Sequence, residues 1–132
     1  MTALGALAIG LAGALGALAR FGADALISAS WRGRYPSGSR GQWPWATLLV
    51  NLIGSFGIGL SAGLLLQAVL DPFWYQVLAT GLAGGLTTFS SFTVATVLLW
   101  QQGRRLPAAA NLIVNTVLGL SAAAAGLALG GI

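Results

Sequence analysis

Apolar residues run along this chain in four long blocks, and the polar residues gather mainly at the seams between them. A helix that crosses a bilayer needs roughly 20 predominantly apolar residues. The blocks therefore predict four spans, over about 2–30, 44–70, 72–102 and 107–129. The first seam holds Arg32, Arg34, Pro36 and Arg40 among Gly and Ser residues. The third is a tight connection made of Arg104, Arg105 and Pro107. Pro44 suits a first helical turn, where its missing N–H costs nothing. Trp31, Trp43, Trp45, Trp74 and Trp100 fall near block ends, as do Tyr35 and Tyr75. Such an aromatic belt supports the boundaries independently of hydropathy. No internal repeat or second domain is visible, so residues 1–132 read as one four-helix, all-α membrane domain.

The third block departs from a plain lipid-facing helix. Its segment Gly81 to Thr93 carries the Gly84-Gly85 pair, then five hydroxyl residues interleaved with Phe89 and Phe92. The expectation is a helix that breaks inside the membrane. Freed backbone groups are tolerated at that depth only when buried in protein, lining a cavity or binding an ion.

Composition narrows the class further. Of 132 residues, 57% are hydrophobic and 6% charged, too few charges for the surface of a soluble domain of this size. There is no cysteine and no histidine, which excludes disulfides, thiolate metal sites and the usual proton shuttle. With no glutamate either, a base or nucleophile for catalysis is missing, and an enzyme is not expected. The net charge of +4 does not imply nucleic acid as a partner. All six cations are arginines, and five lie in two seams on one face of the bundle. Loop arginines flanking apolar spans are topology signals. They predict those loops in the cytoplasm and both termini outside. The N-terminal block lacks a basic leader and is too long for a cleavable signal peptide.

Small residues recur every three or four positions, as in Gly5, Gly10, Gly13 and Gly16 and in Gly54, Gly57, Gly59 and Gly63. They allow close helix approach. Four helices leave little room for a protected pathway, so a homo-oligomer with function at or beside its interface is expected.

The polar residues inside the spans are few. Arg20 is the one cation within a span, and Asp24 lies a helical turn further on, within pairing reach. A self-satisfied ion pair and an anion-attracting charge at a pathway mouth are both open. Asn51, Asn111 and Asn115 offer amide donors and acceptors. Each could make an interhelical hydrogen bond. Together with Ser90, Ser91 and Thr93 they form a set of neutral donors that suits an anion better than a cation. Phe89 and Phe92 share a helix face, for packing or to turn positive ring edges toward a small anion. Weak solvation of that kind permits release, which conduction requires.

Three elements carry a family resemblance. Gly16 to Phe21 resembles the G-A-x-x-R-[YF] element of the Fluc/CrcB fluoride channels. Asn51 to Phe56 resembles their N-x-x-G-[ST]-F element, and Gly81 to Phe92 their G-x-x-G-G-[FL]-T-T-F-S-[ST]-F signature. The resemblance implies a subunit in the plasma membrane of a prokaryotic cell, pairing antiparallel with a second subunit as a dual-topology dimer. Two fluoride pathways would run through that dimer. By the same resemblance Phe89 and Phe92 line each pathway, Asn51 is a donor facing it, Arg20 sits at the vestibule, and Ser90 and Ser91 lie beside the ion positions. A structural sodium ion, Na+, would be held at the dimer centre by the backbone carbonyls of Gly84 and Thr87. The sequence departs from the family at Asn111 and Asn115, where Tyr and Ser are usual. The arginine asymmetry is a second departure, and it leaves self-pairing and pairing with an oppositely oriented paralogue both open.

The function expected is passive, fluoride-selective export down the electrochemical gradient. The alternative is a small multidrug exporter coupled to protons, for which Asp24 is the sole candidate carboxylate. A non-transporting membrane subunit is a third class. It gives no reason for hydroxyls and rings clustered at a helix break.

Overall fold

The structure is a computed structural model that describes residues 2–31 and 43–132. Arg32, Arg34, Arg40, Tyr35 and Pro36, on which part of the topology argument rests, lie outside the described residues, and so does the side chain of Trp31.

The described residues are helical, with no strand among them. Four helical runs are long and apolar enough to cross a membrane: Ala3–Ser30, Trp45–Leu66, Pro72–Gln101 and Arg105–Gly130. They comprise α1 (Ala3–Trp31), α2 (Trp45–Leu66), α3 (Pro72–Tyr75), a π-helical segment (Gln76–Ala83), α4 (Gly84–Leu86), α5 (Phe89–Gln101) and α6 (Arg105–Gly130). The chain is a multi-pass membrane protein, and large apolar side chains such as Leu15, Leu18, Leu106 and Leu120 face outward.

Local chemistry sets the ends of these runs. The second ends at Leu66, four residues short of the predicted Leu70. The amides of Val69 and Leu70 both donate to the Leu64 carbonyl, and Ala68 turns the chain with φ 56°. Asp71 starts the third run, its side chain accepting from the Phe73 amide at 2.8 Å, with Pro72 in the first turn. This is the usual N-cap and N1 pairing. Gly103, at φ 76°, closes α5, and α6 begins at Arg105 rather than Pro107. Pro107 falls in the first turn, where no amide partner is lost.

Two seams of close backbone contact organise the bundle. Helix α6 packs chiefly on α2, and α1 packs on the π-helical segment and α4. Gly59 and Gly63 of α2 face Gly126 and Gly130 of α6, where an added Cβ would strike backbone atoms of the opposite helix. In the second seam a Cβ on Gly85 would meet the Gly13 carbonyl, and one on Gly16 would meet the Leu82 carbonyl. Only glycine fits such contacts, as the repeating small residues predict.

That second seam also explains where the third run changes conformation. Helical hydrogen bonding stops at Leu86 and resumes at Phe89, while Thr87 (φ −72°, ψ 154°) and Thr88 (φ −146°, ψ 117°) are extended. The expectation of a break rested on the Gly84-Gly85 pair together with the five hydroxyl residues after it. Those glycines are helical and serve the approach of α1, and the interruption lies just after them. β-Branched threonines adopt extended backbone readily. Thr88 also caps the next helix, its hydroxyl accepting from the Ser91 amide at 3.1 Å.

Candidate functional site

An extended dipeptide inside a membrane span frees backbone groups that need partners. Asn51, on α2, supplies them. Its Oδ1 accepts from the Thr88 amide at 2.8 Å, and its Nδ2 donates to the Thr88 carbonyl at 3.2 Å. One side chain thus satisfies both polar groups of Thr88.

The same amide is the first link of a longer chain. Asn51 Nδ2 also donates to Asn115 Oδ1 at 3.4 Å. Asn115 Nδ2 donates to Asn111 Oδ1 at 2.9 Å, and Asn111 Nδ2 donates to Thr96 Oγ1 at 2.8 Å. The Thr96 hydroxyl in turn donates to the Phe92 carbonyl at 2.8 Å. The spacing of Asn111 and Asn115 puts both on one face of α6, and they point inward: Asn111 is 0% exposed and Asn115 is buried. Buried amides without partners would be strongly destabilising. Here each partners the next, from α2 through α6 to α5.

Beside this network a cavity of about 390 Å³ opens between α1, α2 and α5. Its walls include Arg20, Asp24, Thr47, Thr88, Ser90 and Ser91. Arg20 and Asp24 are a helical turn apart, yet among the described residues no ion pair forms between them. Of the two readings open in the sequence, the ion pair is therefore not the one made. Both charged groups face a cavity that admits water, and hydration removes the need for a partner.

Phe89 and Phe92 meet edge to face, with ring centroids 5.8 Å apart and planes at 61°. Their surroundings differ sharply: Phe92 is 7% exposed and Phe89 is 78% exposed. Ser90 and Ser91 are exposed on the same first turn of α5. The Thr88 hydroxyl contacts Ser90 Oγ at 3.2 Å and donates to Ser91 Oγ at 3.1 Å. Thr93, by contrast, turns its hydroxyl back onto the Phe89 and Ser90 carbonyls.

The predicted site residues thus fall into two groups. Arg20, Ser90 and Ser91 line the cavity, next to the Phe89–Phe92 pair. Asn51, Asn111 and Asn115 engage one another behind it. Thr88 and Thr96 were not singled out from the sequence. A threonine directly before an apolar helix start is an N-cap signal, so Thr88 was legible. Thr96 carried no such mark.

The carbonyls of Gly84 and Thr87 have a distinctive situation. In an unbroken helix they would accept from the amides of Thr88 and Ser91. Those amides donate instead to Asn51 Oδ1 and Thr88 Oγ1. The Gly84 carbonyl keeps a long contact of 3.4 Å with its neighbour's hydroxyl, Thr87 Oγ1. Among the described residues no three His, Cys, Asp or Glu side chains gather for a metal. Backbone carbonyls in this situation are free to serve as oxygen ligands.

The sequence profile of a family described as CrcB-like protein, Camphor Resistance (CrcB), matches residues 7–127. The chain is 53% identical over 121 residues to the Fluoride-specific ion channel FluC of Renibacterium salmoninarum, covering 92% of this chain and 94% of that one. It is 41% identical over 126 residues to the protein of the same name from Thermus thermophilus, covering 95% and 94%. The counterpart in Saccharophagus degradans is 38% identical over 117 residues, covering 88% and 81%.

Proposed function

The chain belongs to the CrcB-like family, and on that premise we propose that it is a passive, fluoride-selective channel that lets fluoride leave the cytoplasm down its electrochemical gradient. The observation that carries this reading is the 53% identity, over nearly the whole chain, to a relative named as a fluoride-specific channel. Such a channel is not an enzyme. The exporter alternative finds no comparable support, since Asp24 is an exposed residue at a cavity wall.

In the proposed pathway, fluoride enters at the cavity walled by Arg20, whose charge raises the local anion concentration. The ion then sheds water against the hydroxyls of Ser90 and Ser91 and moves past the ring edges of Phe89 and Phe92. Hydroxyl O–H donors replace hydration, and a phenyl edge solvates an anion only weakly. Asn51, Asn111 and Asn115 border this path from the bundle side. No proton or nucleotide step is needed.

We further propose that two copies insert antiparallel as a dual-topology dimer, with the interruption of the third span at its centre. The exposure of Phe89 supports a partner there, because an exposed aromatic beside hydroxyls is a poor lipid surface. An oppositely oriented paralogue is the other candidate partner. The carbonyls of Gly84 and Thr87, relieved of their helical amides, are the oxygen ligands this chain would offer to a structural sodium ion. When bound, such an ion would neutralise the crowded carbonyl dipoles of two facing chains.

The test is anion efflux from liposomes holding the purified protein. Fluoride should leave rapidly while chloride is retained. Equal rates for the two ions would refute selectivity. The same measurement after purification without sodium should show reduced flux if the carbonyl site holds that ion.

A further inference from the structure

The amide chain behind the cavity has a direction, and its two ends fix it. At one end stands the Thr88 amide, which can only donate. At the other stands the Phe92 carbonyl, which can only accept. Every side chain between them must accept on the Thr88 side and donate on the Phe92 side. Asn51 therefore turns Oδ1 toward Thr88. Asn115 presents Oδ1 to Asn51, Asn111 presents Oδ1 to Asn115, and the Thr96 hydroxyl receives the last amide. Reversing Asn51 or Asn115 would set two donors or two acceptors face to face at both of its contacts, and reversing Asn111 would do so against Asn115.

Both ends of the chain lie on the segment that carries the proposed pathway. Thr88 caps α5 and touches Ser90 and Ser91, and Phe92 is the buried ring of the aromatic pair. Among the described residues Asn111 is a side chain fully removed from solvent, while Asn115 spends both donor contacts on Asn111. Neither has an amide donor left to offer an ion.

We propose that Asn111 and Asn115 are positioning residues. Acting through Asn51 and Thr96, they hold Thr88 extended, and so hold Ser90 and Ser91 at the cavity wall and Phe92 edge-on to Phe89. This rests on the channel reading for its functional consequence, but not for its structural one.

Hydrogen–deuterium exchange of the backbone from Leu86 to Phe92, in the full-length protein in liposomes, separates positioning from direct contact with the ion. Thr96→Val keeps the shape of its residue and removes only the hydroxyl that ends the chain. It leaves the Asn111 amide, three links from Thr88, with only its long 3.5 Å contact to the Phe92 carbonyl. Exchange of the Thr88 amide should accelerate by about tenfold, the order expected when a buried amide loses its one short hydrogen bond. Fluoride flux should fall with it. Asn115→Leu should act in the same direction and more strongly. Thr96→Ser, which restores the hydroxyl, should return both exchange and flux to the parent values.

Reduced flux with unchanged Thr88 exchange would overturn the proposal and mark these residues as direct ion contacts. Unchanged exchange and flux in Thr96→Val would overturn it as well. Should Asn115→Leu fail to fold, Thr96→Val and its serine rescue still decide the matter. A parent protein that passes no fluoride would remove the channel reading alone, and the exchange result would still judge the positioning role.

Discussion

Gly126 offers a quantitative test of the seam between α2 and α6. A Cβ at this position would lie 2.7 Å from the Leu60 nitrogen and 3.1 Å from the Phe56 carbonyl carbon, and nearer still to the Phe56 carbonyl oxygen. The first of these is short of an ordinary 3.4 Å contact by about 0.7 Å, and the obstacles are backbone atoms that cannot rotate away. The helices must separate instead. Separation loosens the neighbouring contacts at Gly59, Gly63 and Gly130, so Gly126→Ala should destabilise the fold by about 1–3 kcal/mol. Two turns earlier on α6, a Cβ on Gly119 would sit 3.7 Å from Ser55 Oγ, an ordinary contact with a side chain. Gly119→Ala should therefore be neutral or stabilising by up to about 1 kcal/mol, the helix propensity difference. Unfolding in detergent, followed by tryptophan fluorescence, measures both. Equal stability of the two variants would refute the argument, because composition alone makes them equivalent.

The remaining predictions concern the pathway and a strained turn. Phe89→Ile should abolish most fluoride flux with little loss of stability, because that ring is largely exposed, whereas Phe92→Ile should lose both; undiminished efflux in Phe89→Ile would remove the role of the ring edge. Arg20→Gln should slow fluoride efflux at low ionic strength, with the deficit shrinking as an impermeant salt is added and the Debye length falls to about 10 Å at 0.1 M. A deficit insensitive to salt would mean that Arg20 acts by contact rather than by field. Ala68 holds φ 56° without being glycine, a strain of roughly 1–2 kcal/mol. Ala68→Gly should accordingly raise the unfolding midpoint in detergent without altering flux, and a lowered midpoint would contradict the strained turn.

Much of the architecture was legible because hydrocarbon is a severe solvent. Four apolar runs were visible from hydropathy alone, and the α1 and α2 glycines from their spacing, though their partners Gly126 and Gly130 on α6 were not. The end of the second run was not. Hydropathy continues through Val69 and Leu70, while the actual stop is a turn made by Ala68, a residue with no sequence mark of a helix terminus. Within the Gly81–Thr93 segment the extended residues are Thr87 and Thr88, while Gly84 and Gly85 are helical. Glycine has two uses in a membrane helix, bending and close approach. A lone sequence does not distinguish them until the neighbour is known, here the Gly13–Gly16 stretch of α1. Arg20 and Asp24 have the spacing of an ion pair, and the cavity they line is assembled from three helices.

The asparagines show why the polar residues of this bundle are neutral. A chain of hydrogen bonds that runs from a backbone donor to a backbone acceptor needs links that both accept and donate. An ionised carboxylate can only accept, and a lysine can only donate. Either would leave one neighbour facing an identical group, and would bury a charge where charges are most costly. Asparagine and threonine meet the requirement without charge, and they leave the arginine at the cavity as the dominant field felt by an entering anion. A carboxylate placed at Asn115 would repel such an anion from behind the pathway and would also break the chain toward Asn111. The three aligned amides are thus consequences of one demand. The backbone at Thr88 must stay extended in a medium that offers it no water.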